Sequence, residues 1–170
     1  MNVFDFAMKM EADGKAYYER LARQTSLAGL RTIFTRLAED EQKHYEIFQA
    51  LRTSGKAPTM PESTALADAQ NIFAELLKDA GGAAGNEDDL AAYQQAMKLE
   101  ADSFRLYEDA ATKETGAEVK SLLLKVAEEE HKHFNILENI YRFVNAPNRY
   151  LAWGEFSNLG EFRQFGRQVD

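Results

Sequence analysis

Apolar residues recur at spacings of three and four along four long stretches of this chain, a period that predicts helices rather than strands. The stretches run Val3–Arg23, Leu27–Arg52, Asp88–Lys113 and Ala117–Val144. Each carries one core stripe. The first is Phe4, Ala7, Glu11, Gly14, Tyr18 and Leu21; the second is Phe34, Leu37, Glu41, His44, Phe48 and Leu51. The third is Tyr93, Ala96, Glu100, Ser103, Tyr107 and Ala110; the fourth is Leu123, Val126, Glu130, His133, Leu137 and Ile140. Ionisable residues thus stand on stripes that their neighbours mark as interior.

Breaks at Gln24–Ser26 and Glu114–Gly116 predict two antiparallel hairpins. Glu11 and Glu41 are equally far from residue 26, and Glu100 and Glu130 are equally far from residue 115. Each carboxylate therefore sits roughly 22 Å from its own turn, and the two of a hairpin arrive at one height. Residues 53–87 connect the hairpins, with Pro58 and Pro61, an amphipathic stretch at Ala65–Lys78 and the glycines Gly81, Gly82 and Gly85. Asn86 or Asp88 is the expected cap of the third long helix. A connection that long can run the height of the bundle. The expected fold is all-α, a four-helix bundle of two hairpins with a long crossover between helices two and three, over residues 1–144. Residues 145–170 carry Pro147, Tyr150, Trp153, Phe156, Phe162 and Phe165. For them a short cap helix without function is the plainer expectation, and docking over the bundle or a subunit interface the other.

The two hairpins are copies. Shifted by 89 positions, Ala7–His44 falls on Ala96–His133 without a gap. Ala7-Met8-Lys9-Met10-Glu11-Ala12-Asp13 meets Ala96-Met97-Lys98-Leu99-Glu100-Ala101-Asp102, and Leu37-Ala38-Glu39-Asp40-Glu41-Gln42-Lys43-His44 meets Val126-Ala127-Glu128-Glu129-Glu130-His131-Lys132-His133. Each half holds a lone Glu and, thirty positions on, Glu-x-x-His. One such motif arises easily by chance; two in register, each with its upstream Glu, do not.

Four glutamates in a bundle core cannot all stay ionised without compensation. No Lys or Arg stands at their level on the stripes. Two divalent ions would balance Glu11, Glu41, Glu100 and Glu130, with His44 and His133 binding as neutral imidazoles. Glu and His three apart share a helix face, so Glu41 and Glu130 are expected to bridge both metals. Glu11 with His44 would complete one metal and Glu100 with His133 the other. Oxygen-rich ligation without sulfur suits iron, with manganese or zinc as alternatives.

Gly14 and Ser103 follow the lone glutamates by one turn; they leave room for a small oxidant or serve close helix packing. Tyr18 and Tyr107 lie two turns on, either as core tyrosines with a bonded hydroxyl or as groups acting on a ligand or electron. His131 is expected to face solvent or a neighbour. Glu39, Asp40, Glu128 and Glu129 are expected on the solvated faces of their helices.

At 170 residues the chain is expected to be one domain. Its net charge of −8 argues against nucleic acid and anionic membranes as partners. It has no cysteine, so it offers neither disulfides nor thiolate metal ligands. No apolar run reaches membrane-spanning length, and Met1-Asn2-Val3-Phe4-Asp5 does not read as a secretory signal. The expected compartment is the cytoplasm.

Met8-Lys9-Met10-Glu11, Tyr17-Tyr18-Glu19-Arg20-Leu21-Ala22 and Leu37–His44, with their second copies, resemble the rubrerythrin-like branch of the ferritin-like superfamily over roughly residues 3–143. The resemblance implies a ferritin-like bundle with a non-haem diiron centre, and Glu11, Glu41, His44, Glu100, Glu130 and His133 match its ligands. It implies reduction of hydrogen peroxide or dioxygen, and a homodimer. Two departures stand out. These 170 residues hold no cysteine and so none of the cysteine-bearing rubredoxin module, and turnover is expected to need an external electron-donor protein. Met97 also stands where such proteins tend to carry an extra carboxylate. A ferroxidase or iron-handling protein, and a non-catalytic helical interaction protein, are the alternatives.

Overall fold

The computed structural model describes residues 2–78 and 87–145. Five helices account for most of them: α1 (Val3–Gln24), α2 (Ala28–Ser54), α3 (Ala65–Lys78), α4 (Glu87–Lys113) and α5 (Ala117–Asn145). The expected helices end within two residues of the observed ones. Asn2 caps α1, its side chain accepting the Phe4 N–H at 3.1 Å. Gly55 ends α2 with φ 66°, a left-handed backbone that glycine adopts without penalty. Of the two caps expected for α4, Asp88 lies inside the helix, and Asn86 falls outside the described residues. The segment 146–170 also falls outside them.

Helices α1 and α2 form one hairpin and α4 and α5 the other, packed with α1 on α4 and α2 on α5. The stripes face inward as their pattern requires. Phe34, Leu37, Phe48, Val126, Leu137 and Ile140 are wholly buried. Burying each such side chain is worth about 1.5–3 kcal/mol. Phe48 meets Tyr107 in a tilted ring contact at 4.9 Å, and Phe34 meets Tyr93 likewise at 5.7 Å, joining the two hairpins. The Tyr17 hydroxyl donates to the Ala92 carbonyl at 2.8 Å and ties α1 to α4.

The crossover contributes α3, which packs across α2 and α5. Phe73 meets Phe143 edge-on at 5.7 Å, and Ala69 and Phe73 are wholly buried. Gly29 permits this approach: a Cβ there would stand 2.8 Å from Ile72 Cγ2. The bundle thus has a second layer on one side. No helix among the described residues is long and apolar enough to cross a membrane.

Candidate metal centre

Glu11 comes from α1, Glu41 and His44 from α2, Glu100 from α4, and Glu130 and His133 from α5. All six are buried, none more than 3% exposed. They form two overlapping quartets, Glu11–Glu41–His44–Glu130 and Glu41–Glu100–Glu130–His133, with the candidate ligand atoms of each within 4.8 Å of one another. Glu41 and Glu130 belong to both quartets, the arrangement expected of carboxylates shared between two ions.

The histidines present Nδ1 to the cluster. His44 Nδ1 lies 2.8 Å from Glu130 Oε1 and 3.4 Å from Glu11 Oε2. His133 Nδ1 lies 3.1 Å from Glu41 Oε1 and 3.6 Å from Glu100 Oε1. The rings stack 5.8 Å apart, tilted by 23°. Among the described residues, Glu11 Oε2, Glu41 Oε1, Glu100 Oε2, both Glu130 oxygens and both Nδ1 atoms lack a properly aligned hydrogen bond. Buried polar atoms left so are costly. Seven of them converging on one volume is what a site for cations requires, and five oxygens with two imidazole nitrogens suit divalent metal ions.

The electrostatics agree. Burial raises the Glu41 carboxyl well above its ordinary range, and the charges of Glu130, Glu11 and Glu100 push it further. Burial does the same to Glu130, reinforced by Glu100 and Glu11. Burial would also raise Glu11, but its close approach to His44 and the charge there hold it below its usual value. For His44, burial disfavours the charge, yet Glu11, Glu129 and Glu130 together raise it well above the normal imidazole range. His133 behaves alike: Glu100, Asp40 and Glu41 overcome its burial. Without metal, the centre retains protons where a cation would otherwise sit.

The tyrosines bond across the hairpins. The Tyr18 hydroxyl donates to Glu100 Oε1 and the Tyr107 hydroxyl to Glu11 Oε1. Burial and the facing carboxylates keep both phenols protonated well above their usual range. Gly14, Ser103, Tyr18, Glu41 and Glu100 line a cavity of about 80 Å³ together with Met10, Tyr17 and Leu99 among others. Room for a small molecule therefore exists beside the carboxylates. Close packing is equally real, since a Cβ on Gly14 would lie 2.9 Å from Glu41 Oε2.

Two sequence expectations are corrected. Asp40 and Glu129 are buried rather than solvated, whereas Glu39 and Glu128 are exposed as expected. Glu129 Oε2 meets His44 Nε2 at 2.9 Å, and Asp40 Oδ2 meets His133 Nε2 at 3.3 Å. Each carboxylate stands behind a ring and directs its Nε2–H outward, leaving Nδ1 for a metal. Burial would raise both carboxyls, but the imidazole contacts depress them below their ordinary range. The repeat held the signal: Asp40 and Glu129 are the same position in the two copies, directly before the shared Glu. Their burial comes from the crossover, which covers this side of α2 and α5. His131 is half-buried against the Phe104 ring at 6.0 Å, with a neighbour as expected.

A protein-family model described as Rubrerythrin matches residues 2–141, well over half of the chain. The comparisons with curated proteins and with solved structures returned no match.

Proposed function

The chain belongs to the rubrerythrin family, and from that premise we propose that it is a diiron oxidoreductase that reduces hydrogen peroxide or dioxygen with electrons from an external donor protein. The carrying observation is the pair of quartets that share Glu41 and Glu130. Glu11 and His44 would complete one iron site, and Glu100 and His133 the other. When bound there, two ferrous ions would supply the two electrons that reduce a two-oxygen oxidant, each becoming ferric.

The chain's own residues do the rest. Glu41 and Glu130 would hold both ions, being the carboxylates common to the two quartets. Glu129 and Asp40 fix the imidazole tautomers by accepting the outward N–H. Tyr18 and Tyr107 restrain Glu100 and Glu11 through their hydroxyls and keep a proton close to each. The cavity at Gly14 and Ser103, about 80 Å³, has room for a molecule of a few atoms.

Oxygen-driven iron oxidation without peroxidase turnover is the second reading, favoured by Met97. It is buried one turn before Glu100, so α4 offers no additional carboxylate there. Ferrous reconstitution without oxygen, followed by separate mixing with peroxide and with dioxygen, discriminates by absorbance. Fast oxidation by peroxide with slow reaction with dioxygen supports the peroxidase. Preference for dioxygen with continued iron uptake supports the ferroxidase. Absence of bound metal leaves a helical interaction protein. Glu41→Ala and Glu130→Ala should each abolish binding of the ion pair; retention of two ions by either contradicts the assignment.

A further inference from the structure

The bundle helices supply the ligands, yet the crossover reaches the site's periphery through Ser63, which precedes α3. Its backbone N–H donates to Glu129 Oε1 at 2.9 Å. Its hydroxyl donates to Asp40 Oδ2, and Ser63 Oγ itself accepts the Ala65 N–H at 3.1 Å. Asp40 also receives Lys43 Nζ at 2.9 Å. Glu129 from α5 backs His44 of α2, while Asp40 from α2 backs His133 of α5. Each ring is therefore held by the opposite hairpin, and one residue of the connecting segment holds both carboxylates.

We propose that Ser63 is a positioning residue that couples the two histidines, with its hydroxyl governing His133 and its backbone N–H governing His44. The division follows from chemistry. Any residue except proline supplies an N–H, so the His44 side tolerates substitution. The Ser63 hydroxyl both donates to Asp40 and accepts from Ala65, which an alanine side chain cannot do, so the His133 side does not. A carboxylate that loses its outer donor holds its ring less firmly, and the ring binds metal more weakly. The two halves of a duplicated site thus become unequal through a residue outside the repeat. This inference rests on the two-metal reading above.

The full-length chain, freed of metal, is titrated with zinc by calorimetry as wild type, Ser63→Ala and Ser63→Thr. Histidine ring nitrogens are followed by NMR in the zinc-loaded proteins. Wild type should take two zinc ions. Ser63→Ala should weaken one of them about tenfold, the low end for loss of an outer partner, and move the His133 Nε2 resonance while that of His44 stays. Ser63→Thr should restore both. Two ions bound by Ser63→Ala at wild-type affinity overturn the inference and leave the two-metal reading intact. So does equal weakening of both ions with a lowered melting temperature, which marks only a lost cap of α3. A wild type that takes up no zinc overturns the two-metal reading, and the inference with it.

Discussion

Gly14 shows how a single residue separates stability from function. It stands in the middle of α1, where glycine costs about 1 kcal/mol against alanine. An alanine Cβ would lie 2.9 Å from Glu41 Oε2 and 3.4 Å from its Cδ. The obstacle is the end of a flexible side chain, which can turn aside in the metal-free protein. Gly14→Ala should therefore leave the metal-free protein equally stable or up to about 1 kcal/mol more stable in denaturant unfolding. Glu41 would then be displaced from the position it shares between the two quartets. Metal affinity should fall by about tenfold, seen by competitive chelation. A stabilised variant with undiminished affinity would mean that Gly14 serves helix packing alone. The six buried ligand candidates were legible residue by residue, because each interrupts an apolar stripe with a charge the stripe cannot tolerate unaided. Asp40 and Glu129 were not: next to Glu41 and Glu130 on the helix, they lie on a face that a bare four-helix bundle leaves in water.

At the level of elements, the four long helices and the α3 segment were readable from periodicity, since amphipathic stripes of this length bury in only one way. What periodicity could not assign was the surface that α3 would cover. Its amphipathic face says that it docks, not where. The observed place depends on Gly29, on Phe73 against Phe143, and on Ser63 at the foot of the helix. Phe73 is wholly buried, so Phe73→Ala should cost about 3–5 kcal/mol if α3 belongs to the cooperative unit. Amide exchange should then show α3 opening and carry the consequence inward. Protection of α2 near Asp40 and α5 near Glu129 should fall more than that of α1 near Glu11. Uniform loss of protection would indicate that α3 stabilises the bundle without bearing on the site in particular.

For the molecule as a whole, the central prediction concerns pH, because its interior stores protons when metal is absent. His44 and His133 are raised well above their usual value of 6.5. Their contribution to stability is complete below 6.5 and is lost as pH climbs through the raised values. Glu41 and Glu130 are raised well above 4.5, so the folded chain keeps protons there that the unfolded chain has already released. That also lowers stability as pH rises above 4.5. Glu11, Asp40 and Glu129 act oppositely: depressed in the folded state, they stabilise above their unfolded values and cease to do so in acid. The metal-free protein should accordingly be most stable in mildly acidic solution and melt at steadily lower temperature from pH 6 to pH 8. Divalent ions reverse this trend, since binding requires neutral histidines and ionised glutamates and so releases protons. Stabilisation by metal follows occupancy of the folded state, and the gap between melting curves with and without metal should widen with rising pH. Calorimetry in buffers of different ionisation enthalpy should register the protons expelled on loading. Parallel melting curves across this range, with no proton release, would mean that cations do not replace protons among these carboxylates.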